Sequence, residues 1–211
     1  MWIDRLEKYL GFIAVPRLGM IFVTLQAIGF LFVSIDPAWI GQLALVPEAV
    51  LDGQVFRLVT FLALPSSTSL IWVLLGLWFL WFVFSALENE WGAFRTTLYV
   101  ALSYVVMVTA SFVLSAPITQ VRHFESSLFL AAALLYPNVE LALFGVLPIQ
   151  MKWLAVLTAV MTGLDFWNGS GTDRWMMLAV YSNFFVYFGP SLAQSLKARI
   201  RRAKFKRDHR N

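Results

Sequence analysis

Gly53-Gln54-Val55-Phe56-Arg57-Leu58-Val59-Thr60-Phe61 carries one arginine in a run of aromatic and aliphatic residues. It lies between two segments apolar enough to cross a bilayer, Leu18 to Ile35 and Leu70 to Leu87. A loop of this make-up does not dissolve into water. It is expected to lie on or in the membrane surface, with the Arg57 guanidinium held by carbonyls or lipid headgroups. Whatever the chain does to other molecules is expected to happen near it.

Composition supports a membrane setting. The 211 residues are 60% hydrophobic and only 13% charged, with a mean hydropathy of +0.74. Soluble domains carry about 25% charged residues, so this chain has too few polar groups to cover a water-facing surface. The absence of Cys excludes disulfides and thiolate metal sites. The two His residues, His123 and His209, leave almost nothing for metal or His-based chemistry, so neither metal nor cofactor is expected. The length suits one membrane domain over residues 1–196, followed by a basic tail over 197–211.

Outward from the loop, the pattern predicts six spans. Met1 to Arg17 reads as an amphipathic surface helix, with Trp2, Leu6, Tyr9 and Leu10 set against Asp4, Arg5, Glu7 and Lys8. It does not read as a cleaved signal. Leu18 to Ile35 is the first span, about 27 Å long. Trp39 to Leu45 and Gln54 to Leu64 are short amphipathic pieces suited to the interface. Leu70 to Leu87, ended by Glu88-Asn89-Glu90, and Thr96 to Leu114 are spans two and three. Ser126 to Tyr136 is apolar but measures only about 17 Å, so it is expected as a central half-helix reached from a polar pocket through the Pro117–Glu125 loop. Leu141 to Lys152 reads as irregular. Trp153 to Leu164 is a short fifth span, Asp165 to Arg174 a polar turn, and Trp175 to Leu192 the sixth span.

Charge sets the orientation. The tail from Lys197 holds eight of the sixteen Lys and Arg residues; the remainder has eight basic and eleven acidic residues, a net of −3. A basic run after a membrane helix reads as a cytoplasmic anchor with attraction to anionic lipid, ahead of nucleic-acid or ribosome binding. Arg5, Lys8 and Arg17 place the N-terminus on the same side. The Arg57 loop, the Arg122 loop and the Asp165–Arg174 turn then face the opposite side.

Three ordered motifs resemble the rhomboid superfamily of intramembrane serine proteases and their inactive relatives, the derlins among them. Phe56-Arg57-Leu58-Val59-Thr60 resembles its Trp-Arg loop motif, with Phe for Trp. Leu87-Glu88-x-x-Trp91-Gly92-x-x-Arg95 resembles the motif after its second helix. Tyr136-Pro137-Asn138 followed by Leu143-Phe144-Gly145-Val146-Leu147-Pro148 and Lys152-Trp153-Leu154 resembles the link between helices four and five. The resemblance implies an all-α, six-helix membrane bundle with an interfacial first loop and a short central fourth helix.

The catalytic positions do not follow the family. A rhomboid needs a Ser in Gly-x-Ser-Gly on helix four and a His on helix six to take its proton. Ser126 and Ser127 stand in Phe-Glu-Ser-Ser, and alignment on Gly189 puts Ser182 at the His position. Trp72 and Gly76 fall where the family has His and Asn, so nothing there donates to an oxyanion as the Asn would. His123 precedes Ser126 and Ser127 by three and four residues, but it lies ahead of the expected helix, and its simpler reading is a surface or carbonyl-bonded group. Glu125 and Arg122 are expected to pair. The expected function is therefore that of a pseudoprotease of a bacterial-type inner membrane. It would bind transmembrane segments of client proteins in quality control, chaperoning or trafficking, and short segments four and five would distort the lipid around them. Ala131-Ala132-Ala133 offers a flat packing face. The rival readings are an active protease using Ser126 or Ser127, and a transporter or assembly subunit built on the same fold.

Overall fold

A computed structural model describes residues 7–9, 11–143 and 147–208, with backbone alone for 142, 143, 147 and 190–208. Trp2, Asp4, Arg5, Leu6, Leu10, Gly145 and His209, singled out in the sequence, lie outside the described residues. So do the side chains of the basic tail.

Helix α1 spans Leu18–Ile35, the uninterrupted apolar run. Its free N-terminal amides are taken by one carboxylate. Leu18 N–H donates to Glu88 Oε1 at 2.7 Å and Arg17 N–H to Oε2 at 3.2 Å, which supplies both acceptors and a favourable charge for the helix dipole. Asp36 ends the helix and accepts the Ala38 N–H at 2.8 Å, turning the chain. Three short helices follow in the first loop: α2 at Trp39–Leu43, α3 at Pro47–Leu51 and α4 at Arg57–Thr60, the last running into a 3-10 turn at Phe61–Ala63. Gly29 permits the close approach of α1 to this turn, since a Cβ there would overlap the Ala63 carbonyl.

Helix α5, Leu70–Leu114, is 45 residues long but broken at Gly92, where φ is 80° and ψ 166°. An unbroken helix of that length would measure about 68 Å, over twice a hydrocarbon core. The break leaves two arms of roughly 33 Å each. One end of the second arm lies by the N-terminus of α1, where Thr97 Oγ1 accepts the Val15 N–H at 3.0 Å; the other leads to Ile118, which pairs with Leu45. The arms therefore run antiparallel. The expected end of the second span at Leu87 is corrected: helix continues to Trp91. Its charges are partnered and do not stop it, Glu88 by the α1 amides and Glu90 by the Tyr136 hydroxyl at 3.0 Å.

Helix α6, Arg122–Leu135, has 14 residues and so begins a full turn before the expected Ser126. As expected, its approach runs along a polar pocket of about 390 Å³, whose lining includes Thr119, Gln120, Arg122, His123, Asp165 and Asp173. Leu45 and Ile118 exchange both backbone bonds, at 3.1 and 2.8 Å, so the first loop satisfies that backbone. Where Leu141 to Lys152 is expected to be irregular, the chain forms a ribbon of β1, Glu140–Leu143, and β2, Leu147–Gln150, antiparallel with Ala142 opposite Pro148. A two-stranded ribbon is all edge, and so it tolerates the proline. Helix α7 is Met151–Asn168, 18 residues rather than the expected short span, because Asp165 is paired with Arg122 and does not stop it. Helix α8 is Gly171–Asp208, passing Gly189-Pro190 without a stop.

The core is centred on α6, which packs against α5, α7 and α8. Phe124, Leu128, Phe129 and the three alanines 131–133 are buried. Phe22 stacks between Phe84, at 5.1 Å, and Phe124, at 5.7 Å. The outside is apolar. The described residues include two helical stretches long and apolar enough to cross a membrane, Gly11–Ile35 and Leu70–Leu114, and only 28% of each apolar window is buried. Soluble folds bury such helices. Here Ile71, Val113, Trp153, Trp175 and Val186 all stand exposed, a far larger apolar surface than a water-soluble monomer presents.

Candidate functional site

Two sets of polar groups lie at opposite ends of the helices. At one end Glu88 caps α1, Arg95 lies 3.8 Å from Glu7, Tyr136 meets Glu90, and Lys152 Nζ donates to Asn138 at 3.4 Å. Trp91 packs against Tyr99, Tyr187 and Phe188, with ring centres 5.5–5.9 Å apart. The motif residues Glu88, Trp91, Gly92 and Arg95 therefore build this end of the bundle. Pro148 lies exposed on β2.

At the other end is the first loop. Arg57 Nη1 donates to the carbonyls of Gly41 at 2.7 Å and Ala44 at 2.8 Å, and Nε donates to Gln54 Oε1 at 2.7 Å. Its guanidinium lies 5.7 Å from the Phe56 ring centre. Tyr104 donates to the Leu58 carbonyl at 2.9 Å, tying the loop to the second arm. The carbonyl anchorage expected from the sequence is present. Leu51, Val55, Phe56 and Val59 are left exposed on the loop surface.

Between the first arm of α5, α6 and α7 lies a cavity of about 340 Å³. Trp72, Gly76, Trp78, Phe79, Phe129 and Leu157 form its apolar walls; Arg122, Glu125, Ser126 and Thr158 are its ionisable and hydroxyl groups. The first arm and α7 flank α6 and scarcely touch each other. Helix α7 buries only Met151 among its side chains. The expected Arg122–Glu125 pair does not form. Arg122 Nη2 instead reaches Asp165 Oδ2 at 2.9 Å, on the face between α6 and α7. Glu125 Oε1 accepts from the amide of Gln26, a buried residue at the middle of α1. One helical turn separates the two α6 residues, and each finds its partner on a different helix.

The serines are also separated. Ser127 Oγ is fully buried and has no hydrogen-bond partner. Ser126 lies near the Tyr181 hydroxyl on α8, which meets Thr162 Oγ1 at 3.1 Å. His123 is inside α6, not ahead of it, and sets its ring edge-on to Tyr181, centres 6.2 Å apart. Ser182 Oγ donates to the Ala179 carbonyl of its own helix at 2.7 Å, so it faces away from both serines' chemistry. Tyr181, one position earlier, is the α8 side chain that reaches α6. Trp72 and Gly76 both line the cavity.

Sequence reasoning missed Gln26, Thr162, Tyr181 and Asn183. Asn183 Nδ2 donates to the Tyr99 carbonyl and to Ser103 Oγ, both at 2.8 Å, joining α8 to the second arm of α5. The available signal was a lone amide in an otherwise apolar helix, which must find a partner inside the bundle. No family model, curated protein or solved structure matches this chain.

Proposed function

We propose that this chain is a six-span, rhomboid-like pseudoprotease that binds transmembrane segments of client proteins. The termini would lie in the cytoplasm of a bacterial-type inner membrane. The observation that carries the reading is the cavity beside α6: apolar aromatic walls, a few polar groups, and a gap between the first arm and α7 through which a helix can approach from lipid. The weak burial of α7 lets that gap widen at low cost. Client side chains would meet the polar groups of α6 there, beside the loop that Arg57 holds.

The absence of proteolysis rests on chemistry. A serine hydroxyl needs a base to become a nucleophile. The polar neighbour of Ser126 is a phenol, and Ser127 is sealed from any substrate. The proximity of His123 and Tyr181 to Ser126 favours a second reading, a divergent serine hydrolase.

A fluorophosphonate probe on the purified protein separates the two. No labelling is expected; labelling lost in Ser126→Ala or Ser127→Ala would replace this reading with the hydrolase. Photocrosslinkers at Leu157 and Phe56 in the native membrane should capture several membrane proteins, uncleaved, through mapped transmembrane segments. One fixed stoichiometric partner would identify an assembly subunit instead.

A further inference from the structure

We propose that the cavity beside α6 receives a basic side chain from the client helix, with the Glu125 carboxylate as its counterion. This deepens the client-binding reading and rests on it.

Among the cavity-lining residues Glu125 is the acid and Arg122 the base. Arg122 is already committed to Asp165 at 2.9 Å. Glu125 receives the Gln26 amide on one oxygen, and among the described residues no contact is recorded for Oε2. An ionised carboxyl offers about four acceptor sites, so most of its capacity is unspent. Among the described residues, the one cation lining the cavity is Arg122, and Asp165 holds it. The first helix, the first arm of α5 before Arg95 and α7 beyond Lys152 hold no Lys or Arg. Gln26 stands midway along α1, so the pair lies near the middle of the bundle, far from headgroups. A carboxylate at that depth is costly alone, and so is a lysine or arginine in a client helix. Pairing the two relieves both costs, and the aromatic residues Trp72, Trp78 and Phe79 line the same cavity. A cavity of about 340 Å³ is large enough for such a side chain and falls within the size range of ligand sites.

The test uses the full chain in lipid nanodiscs with single-span polyleucine peptides carrying Lys, Leu or Glu at the centre. The Lys peptide should bind at least roughly tenfold more tightly than the Leu peptide, the scale of a desolvated charge pair. That preference should vanish in Glu125→Gln and persist in Glu125→Asp. Equal binding of Lys and Leu peptides overturns the counterion proposal and leaves client binding standing. No binding of any peptide overturns both. A Lys preference that survives Glu125→Gln removes Glu125 from the role. Gly76→Leu gives an independent check should Glu125→Gln fail to fold. A Cβ at Gly76 meets only Ser66 Oγ, at 3.3 Å, and Gly76 lines the cavity, so the longer side chain narrows it while Glu125 is kept. Undiminished Lys preference in Gly76→Leu overturns the cavity as the site.

Discussion

At the scale of single residues, the charged groups at the helix ends act as caps and ties. Glu88 closes two free amides of α1 from 70 residues away in sequence. Glu88→Ala should lower stability by about 1–2 kcal/mol, read as an earlier unfolding midpoint in a denaturant titration in detergent. Ser170 and Asp173 form a reciprocal cap on α8. The Ser170 N–H and hydroxyl donate to Asp173 Oδ2 at 3.0 and 2.7 Å, and the Asp173 N–H returns to Ser170 Oγ at 3.3 Å. The Ser170 hydrogen bonds hold the Asp173 carboxyl below its ordinary value of 3.8. A depressed carboxyl contributes stability above that ordinary value and loses it as pH falls through the folded one. Wild type should therefore exceed Asp173→Asn in stability at neutral pH and lose that margin as pH falls below 3.8, the two curves converging once pH is below the folded value. Parallel curves throughout would exclude that contribution. Arg57 was legible at this scale, because an arginine in an apolar loop has few places to go but carbonyls. The Arg122 and Glu125 pairings were not. Opposite charges three positions apart on one helix suggest each other, and only the neighbouring helices reveal Asp165 and Gln26 as the partners.

At the scale of elements, one glycine divides the longest helix. Gly92 holds a backbone conformation that side-chain-bearing residues avoid, so Gly92→Ala should cost about 1–3 kcal/mol. Destabilisation should appear as a lower midpoint without a change in the number of membrane crossings, mapped by cysteine accessibility. The first loop is a second device. Arg57→Ala removes two carbonyl bonds and the Gln54 contact. It should free α2 to α4 to proteolysis, cost about 2 kcal/mol, and leave the crossings intact. Wild-type protease resistance would show that the loop is held by lipid instead. Element boundaries were the least legible feature. Asp165 and Glu90 look like helix stops until their partners are seen. The ribbon at residues 140–150 was hidden because its strands are four residues each, too short for a periodic signal.

At the scale of the molecule, the apolar belt and the two polar ends describe a body suited to lipid. The protein should resist extraction by alkaline carbonate and dissolve only in detergent. In sealed membrane vesicles, the Arg57 loop and the short turn between α7 and α8 at Gly169 and Ser170 should react with impermeant reagents from the side opposite the tail. Labelling of both from one side with the tail would overturn the proposed orientation. Which groups surround the serines also belongs to this scale, since it depends on which face α8 turns toward α6.

The sequence by itself determined the apolar character of the chain, the anchored loop around Arg57 and the approximate places of the long helices. These follow from local composition, because a residue's transfer energy and a helix's reach depend on the chain segment alone. The tertiary structure decided the rest: that α6 is central and begins at Arg122, that Glu125 meets Gln26 beside a cavity, and that Tyr181 rather than Ser182 faces Ser126. Those facts depend on contacts between residues as much as 99 positions apart. Each is set by how helices rotate about their axes when they pack, which no stretch of sequence fixes alone.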